Sequence, residues 1–167
     1  VRIRAPLPRP GSVICAYSNF QDRDQTRKGP SQFFHKGSAS IVGPNELVEI
    51  VDIPESKVCQ PEPELAYVIG RAAKNVAEVE ALDYVFGYLN LVDISNRDIP
   101  NQGTMFLQKS LGTYAPIGPV IVTRDEVADP QDLRVRLWIN GEMKQDYNTS
   151  EMVMSVAAQI AWLSRFL

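Results

Sequence analysis

Histidine is nearly missing from this sequence: there is one, His35, among 167 residues. Cysteine is scarce too. Cys15 and Cys59 lie far apart with no CxxC spacing, which leaves out the zinc and thiol-redox motifs built on that spacing. Two buried free thiols in a reducing cytoplasm are the expectation. No apolar run approaches the ~20 residues that a membrane-spanning helix needs, so no membrane partner is expected. Positive charge is not in excess: Lys and Arg total 17 against 20 Asp and Glu, for a net charge of −3. The basic residues are scattered, so nucleic acid is not an expected partner. The opening "VRIRAPLPRPG" lacks the apolar core of a signal peptide. It also lacks an initiator Met, and the chain stops in "AWLSRFL", in mid-helix by pattern, so a piece of a longer polypeptide is expected. No repeat or low-complexity tract is visible.

What is present suits one domain. With 44% hydrophobic and 22% charged residues the composition is globular. A chain of this length buries roughly 70% of its unfolded surface without needing a staple. "SVICAY", "QFFHKG", "ELVEIVDI", "ELAYVIGRA", "YVFGYLNLVDIS", "IGPVIVT" and "LRVRLWIN" read as strands. Leu133, Val135, Leu137 and Ile139 alternate with Arg134, Arg136 and Trp138, one face buried and one wet. Asn140-Gly141 is a hairpin turn into "EMKQDY". Asn75 and Glu78 have capping-box spacing for a helix over about Val76 to Asp83. Thr149 or Ser150 caps a second helix from Glu151. Many strands and two helices make a β-dominated α+β domain.

The chemistry concentrates in acids. Glu62 and Glu64 flank Pro63 in "EPELAYVIG", and residues two apart on a strand face the same side. Pro63 has no amide to donate, which places it at a strand start or edge. Paired like charges repel unless a cation joins them. Asp93 closes the most apolar strand, and a buried acid needs a partner. Three carboxylates with no nearby His or Cys form an all-oxygen set, which suits Mg2+, Mn2+ or Ca2+. The other reading is a solvated acidic strand end. Arg97 and Asp98 follow in "VDISNRD", where they read as a local ion pair shaping a turn.

"EPELAYVIG", "DYVFGYLNLVDISNRD", "QKSLGTYAPIGP" and "INGEMKQDYNTSEM" occur in that order, and together they resemble the fumarylacetoacetate hydrolase family, from about Val13 to the end. The resemblance implies a mixed, rolled β-sandwich or barrel, usually assembled as a homodimer. It implies a single catalytic-type domain over residues 1–167 that lacks the family's C-terminal strands and glycine-threonine-proline loop. It implies Mg2+ or Mn2+ on Glu62, Glu64 and Asp93, and a small 2-oxo acid substrate whose enolate the metal stabilises. Lys109 matches the family's lysine, which would hold a substrate carbonyl or carboxylate, or steer a proton. Arg97 and Thr149 fall near the substrate in the same matching, although an N-cap role explains Thr149 equally well.

The match breaks where hydrolases of the family carry a histidine base. That position is Arg23, and a guanidinium cannot take up a proton near neutral pH. The glutamate that partners the histidine falls on Thr26. Pro100 replaces an oxyanion-binding Gln, for which Gln102 would substitute. Remaining candidates for the base are His35, Asp22 and Asp24, the last two on a loop that would act as a lid. Lys36 matches a lysine common in relatives, and it and Arg23 are expected to bind substrate. His35 and Lys36 face opposite sides of a strand, so at most one points into a site. The expectation is a cytoplasmic, metal-dependent hydrolase or lyase of 2-oxo acids, by C–C cleavage, decarboxylation or enol–keto isomerisation. The alternatives are a 2-keto-3-deoxy sugar-acid dehydratase-like lyase and a catalytically impaired family member serving as a binding or structural subunit.

Overall fold

Strand propensity prevails over most of the chain. The computed structural model describes residues 2–20, 32–54, 56–99 and 105–167. Among them lie β1 (Val13–Tyr17), β2 (Gln32–Lys36), β3 (Ile41–Val42), β4 (Val58–Ile69), β5 (Val85–Arg97), β6 (Ala115–Thr123), β7 (Arg134–Ile139) and β8 (Glu142–Asn148). The α-helices are α1 (Met105–Lys109) and α2 (Val156–Leu163). The remaining helical segments are short 3₁₀ turns. This is the β-dominated α+β class expected from the pattern.

β1 pairs with β2 and β7 with β8, while a four-stranded sheet runs in the order β3-β6-β5-β4. β3 and β6 are parallel, with Ile41 opposite Ala115. The apolar strand β5 therefore has neighbours on both sides, as its composition requires, and β4 lies at the edge of the sheet. An edge strand tolerates Pro63 because one side needs no amide donor. The strand begins at Val58, so of the two places expected for Pro63 the edge is correct and the strand start is not. At the β7–β8 turn Asn140 and Gly141 have φ of 52° and 80°. Both are left-handed, as a type I′ hairpin needs.

The chain divides into two compact units. One comprises Val1–Cys15, Phe33–Glu64 and Leu89–Ile121, the other Ala16–Gln32, Leu65–Tyr88 and Val122–Leu167. The second unit has an ordinary apolar core. Val156 and Ile160, one turn apart on α2, pack with Val76, Ala81, Val85 and Tyr88. The first unit buries Phe34, Leu89, Leu91, Ile94 and Tyr114, but also Lys36, Asp93, Ser95, Asn96 and Lys109. Charged side chains are almost never fully buried without partners, so this polar interior marks the place to look for function.

Three expectations of local structure fail. "ELVEIVDI" is not a strand. The amides of Glu49 and Val51 go to the Thr113 hydroxyl and the Tyr114 phenol instead of a ladder, and Leu47 is 84% exposed. Asn75 caps nothing. Its φ is 51°, its amide donates to the Ser164 carbonyl, and the Val76 amide donates to Ser164 Oγ. The end of α2 thus takes the amides that a helix start would have used, and only a 3₁₀ helix, Glu78–Tyr84, follows. Thr149 and Ser150 do not start α2 either. Asn148 and Glu151 form a capping box around a 3₁₀ turn, and Ser155 caps α2 by accepting the Ala158 amide.

Candidate functional site

β5 alternates, and its alternation puts Asp93, Ser95 and Arg97 on one face. Its neighbour β4 brings Glu62 and Glu64. β2 adds Lys36, and the C-terminal end of α1 adds Lys109. All belong to the first unit.

Asp93, 1% exposed, is the centre of the cluster. Lys109 Nζ donates to Asp93 Oδ2 at 2.6 Å, to Glu62 Oε2 at 2.7 Å and to Ser95 Oγ at 2.7 Å. Ser95 in turn donates to Glu62 Oε2 at 3.0 Å. Lys36 Nζ stands 2.7 Å from Asp93 Oδ1. Its angle makes this an ion pair without a hydrogen bond, so Oδ1 is, among the described residues, the buried side-chain atom left without one. The N–H groups of Lys36 go to main-chain carbonyls, those of Lys109 and, at 3.0 Å, Tyr114. Arg97 pairs with Glu62 and donates to Gln60 Oε1 at 2.9 Å.

A buried network of this kind is costly unless every member is paired. Neutral hydrogen bonds around it add support. Tyr114, wholly buried, donates its phenol to Asn96 Oδ1 at 3.0 Å, and Asn96 donates to the Leu107 carbonyl in α1 at 3.2 Å. This braces the short helix that carries Lys109.

The charges shift one another. Burial disfavours the Lys109 ammonium, but Asp93 and Glu62 outweigh it and hold its pKa above the ordinary lysine range. Lys109 therefore stays charged. Glu64 keeps some surface, yet protein crowds its carboxyl. That burial, with the negative charges of Asp93 and Glu62, pushes it up to about 8 against the pull of Lys109 and Lys36. Cys15 is pushed well up by burial first, then by Glu64 and Asp93.

The two cysteines differ, contrary to the expectation of two buried thiols: Cys15 is buried, but Cys59, near the start of edge strand β4, is exposed. A thiol reagent is therefore expected to label Cys59 in the folded protein and Cys15 only after unfolding. Mass spectrometry of the labelled peptides checks this, and fast labelling of Cys15 in the native state would contradict its burial.

Four further candidates have defined places. His35 is exposed on the face of β2 opposite to Lys36, with Nδ1 3.3 Å from Ser12 Oγ, so it is not placed as a base for this cluster. Lys36 is the inward member of that pair, but its side chain is 0% exposed, so it supports Asp93 and has no surface to offer a substrate. Arg97 pairs with Glu62 on β4 rather than with Asp98. Thr149, in the other unit, is fully buried; its hydroxyl donates to the Pro130 carbonyl at 2.8 Å and accepts the Leu133 amide at 2.9 Å. Asp22, Arg23, Asp24, Thr26, Pro100 and Gln102 lie outside the described residues. Sequence reasoning missed Ser95 and the linking role of Lys36. The signal for Ser95 was its place between Asp93 and Arg97 on an alternating strand.

Among the described residues no three carboxylate, histidine or cysteine side chains already form a metal cage. The donors nevertheless fit a hard divalent cation. They are all oxygen, and an ammonium already draws Glu62 and Asp93 to one point.

Comparison with known proteins follows the same line. The family profile "Fumarylacetoacetate (FAA) hydrolase C-terminal" matches residues 12–167. A mitochondrial oxaloacetate tautomerase of Xenopus laevis is 37% identical over the whole chain, which spans 54% of that relative's length. The solved fumarylacetoacetate hydrolase of Exiguobacterium antarcticum superposes with a TM-score of 0.89 at 35% identity, over 99% of this chain and 61% of that one. A maleylpyruvate hydrolase of Sphingobium sp. SYK-6, solved with manganese(II) and pyruvate, gives 0.85 at 32% identity, over 98% and 58%.

Proposed function

The chain belongs to the fumarylacetoacetate hydrolase family and has its fold, and from that premise we propose that it is the metal-binding part of an enzyme that moves a proton next to the keto group of a 2-oxo acid. Enol–keto isomerisation is the favoured subtype, with Mg2+ or Mn2+ held by Glu62, Glu64 and Asp93. The observation that carries this reading is the buried cluster in which Lys109 joins Asp93 and Glu62.

When bound, such a cation would supply Lewis-acid polarisation of the keto oxygen. The chain's own residues do the rest. Lys109 keeps its charge and offers N–H donors to an oxygen that gains negative charge. Burial of Asp93 and Lys109, 1% and 3% exposed, limits the screening of those charges by water. Ser95 and Arg97 fix the two oxygens of Glu62. Isomerisation is favoured over hydrolysis because Arg23 stands where the family's hydrolases have a histidine base. Hydrolysis needs a base that activates water, whereas keto–enol exchange needs one only to carry a proton between carbon and oxygen, and Asp24 is a candidate for it read from the sequence. The tautomerase relative and the pyruvate-bound neighbour support the substrate class.

The test is calorimetric titration of the full-length protein with Mn2+, alongside Glu62→Gln and Glu64→Gln, and an ultraviolet assay of oxaloacetate enol decay. Each variant is expected to bind Mn2+ at least about 10-fold more weakly and to lose metal-dependent turnover. Variants that bind Mn2+ as tightly as the parent would rule out this assignment.

A further inference from the structure

Asp93 carries one lysine on each oxygen, at nearly equal distances of 2.7 and 2.6 Å. The two are anchored differently. Lys36 has a side chain with 0% exposure and donates to the carbonyls of Lys109 and Tyr114. Those acceptors are backbone, one at the end of α1 and one just before β6, so Lys36 cannot move without moving both elements. Lys109 Nζ meets three side chains instead: Asp93, Glu62 and Ser95. Side chains can turn on their rotamers, and a lysine has a flexible four-carbon stem. The Lys109 carbonyl is meanwhile held by Lys36, so its backbone stays in place while its head group is exchangeable.

A divalent cation held by Glu62, Glu64 and Asp93 would draw on carboxylates that Lys109 now holds, those of Glu62 and Asp93. A small hard cation sits about 2.0–2.2 Å from its oxygens, closer than an ammonium, and claims the same lone pairs. It also repels a nearby positive charge. We infer that Lys109 is an exchangeable counter-charge. Its ammonium would compete with a divalent cation for the carboxylates of Glu62 and Asp93, while Lys36 stays on Asp93. The inference rests on the assignment of Glu62, Glu64 and Asp93 as metal ligands. It gives the two lysines separate tasks: Lys36 is a positioning residue for Asp93, and Lys109 is the counter-charge that a cation would displace.

Competition makes an unusual demand: removing a residue from the cluster must improve metal binding. Calorimetric titration of the full-length protein with Mn2+, without substrate, is the test, on the parent, Lys109→Met and Lys109→Gln. The expected result is binding roughly 10-fold tighter in both variants than in the parent, since each loses a competing positive charge. Two neutral side chains of different polarity guard against one of them failing to fold. Equal or weaker binding in folded variants, with the parent binding normally, overturns the inference and leaves the metal assignment intact. A parent that does not bind Mn2+ overturns both.

Discussion

Asp93→Asn is expected to lower the stability of the metal-free protein by about 3–5 kcal/mol, the range for breaking a buried ion pair from one side. The substitution keeps the shape of the side chain, so no cavity contributes. What changes is charge. Lys36 and Lys109 stand 2.7 and 2.6 Å from the two oxygens of Asp93, with side chains 0% and 3% exposed. Without the carboxylate, Lys36 keeps only neutral carbonyl partners and Lys109 depends on Glu62 and Ser95. The Lys36 ammonium, its side chain 0% exposed, does not reach water without disturbing the strands around it. Urea unfolding of parent and variant measures the difference. A loss below about 1 kcal/mol would mean that water already screens the cluster as it screens a surface pair.

Lys36→Met is the complementary experiment and is expected to cost a similar amount, about 3–5 kcal/mol. Methionine replaces most of the apolar stem, but Asp93 Oδ1 loses its counter-charge and the carbonyls of Lys109 and Tyr114 lose their donor. An uncompensated buried carboxylate and two unsatisfied carbonyls add in the same direction. The double variant Asp93→Asn, Lys36→Met should lose less than the sum of the single losses, by about 1–3 kcal/mol, because each single change strands the partner of the other. Strict additivity in the urea series would show that the two residues do not share one interaction.

Much of this was legible in the sequence because it is local. The i, i+2 spacing of Glu62 and Glu64 and the apolar run ending at Asp93 both survive in β4 and β5. A buried acid at Asp93 demanded a cation, and the demand is met. That two lysines meet it was not legible, since β2 is distant from β5 in sequence and only the tertiary fold turns Lys36 and Lys109 onto one carboxylate. The same holds for the errors. Alternation over residues 46–53 resembled a strand, but the amides of Glu49 and Val51 found side chains of Thr113 and Tyr114. Asn75 had the spacing of a cap, but Ser164 took the amides. Thr149 looked equally suited to substrate or cap, and Pro130 and Leu133 use its hydroxyl. In each case a distant partner overrode a valid local preference. Arg23 in place of the family's histidine is a fact of sequence alone, and it shapes the proposed reaction more than any distance does.

The bonds of Lys36 also bear on how the chain reaches its native state. They span 73 residues to Lys109 and 78 to Tyr114. Contacts of that separation are reached only after long loops have closed, and they make folding slow. Until they form, the charges of this cluster remain hydrated, and dehydrating any one of them before its partners arrive is unfavourable. Burying Asp93 with β2 or α1 misplaced leaves its charge short of a partner, so the cluster favours the one arrangement that brings both lysines to it.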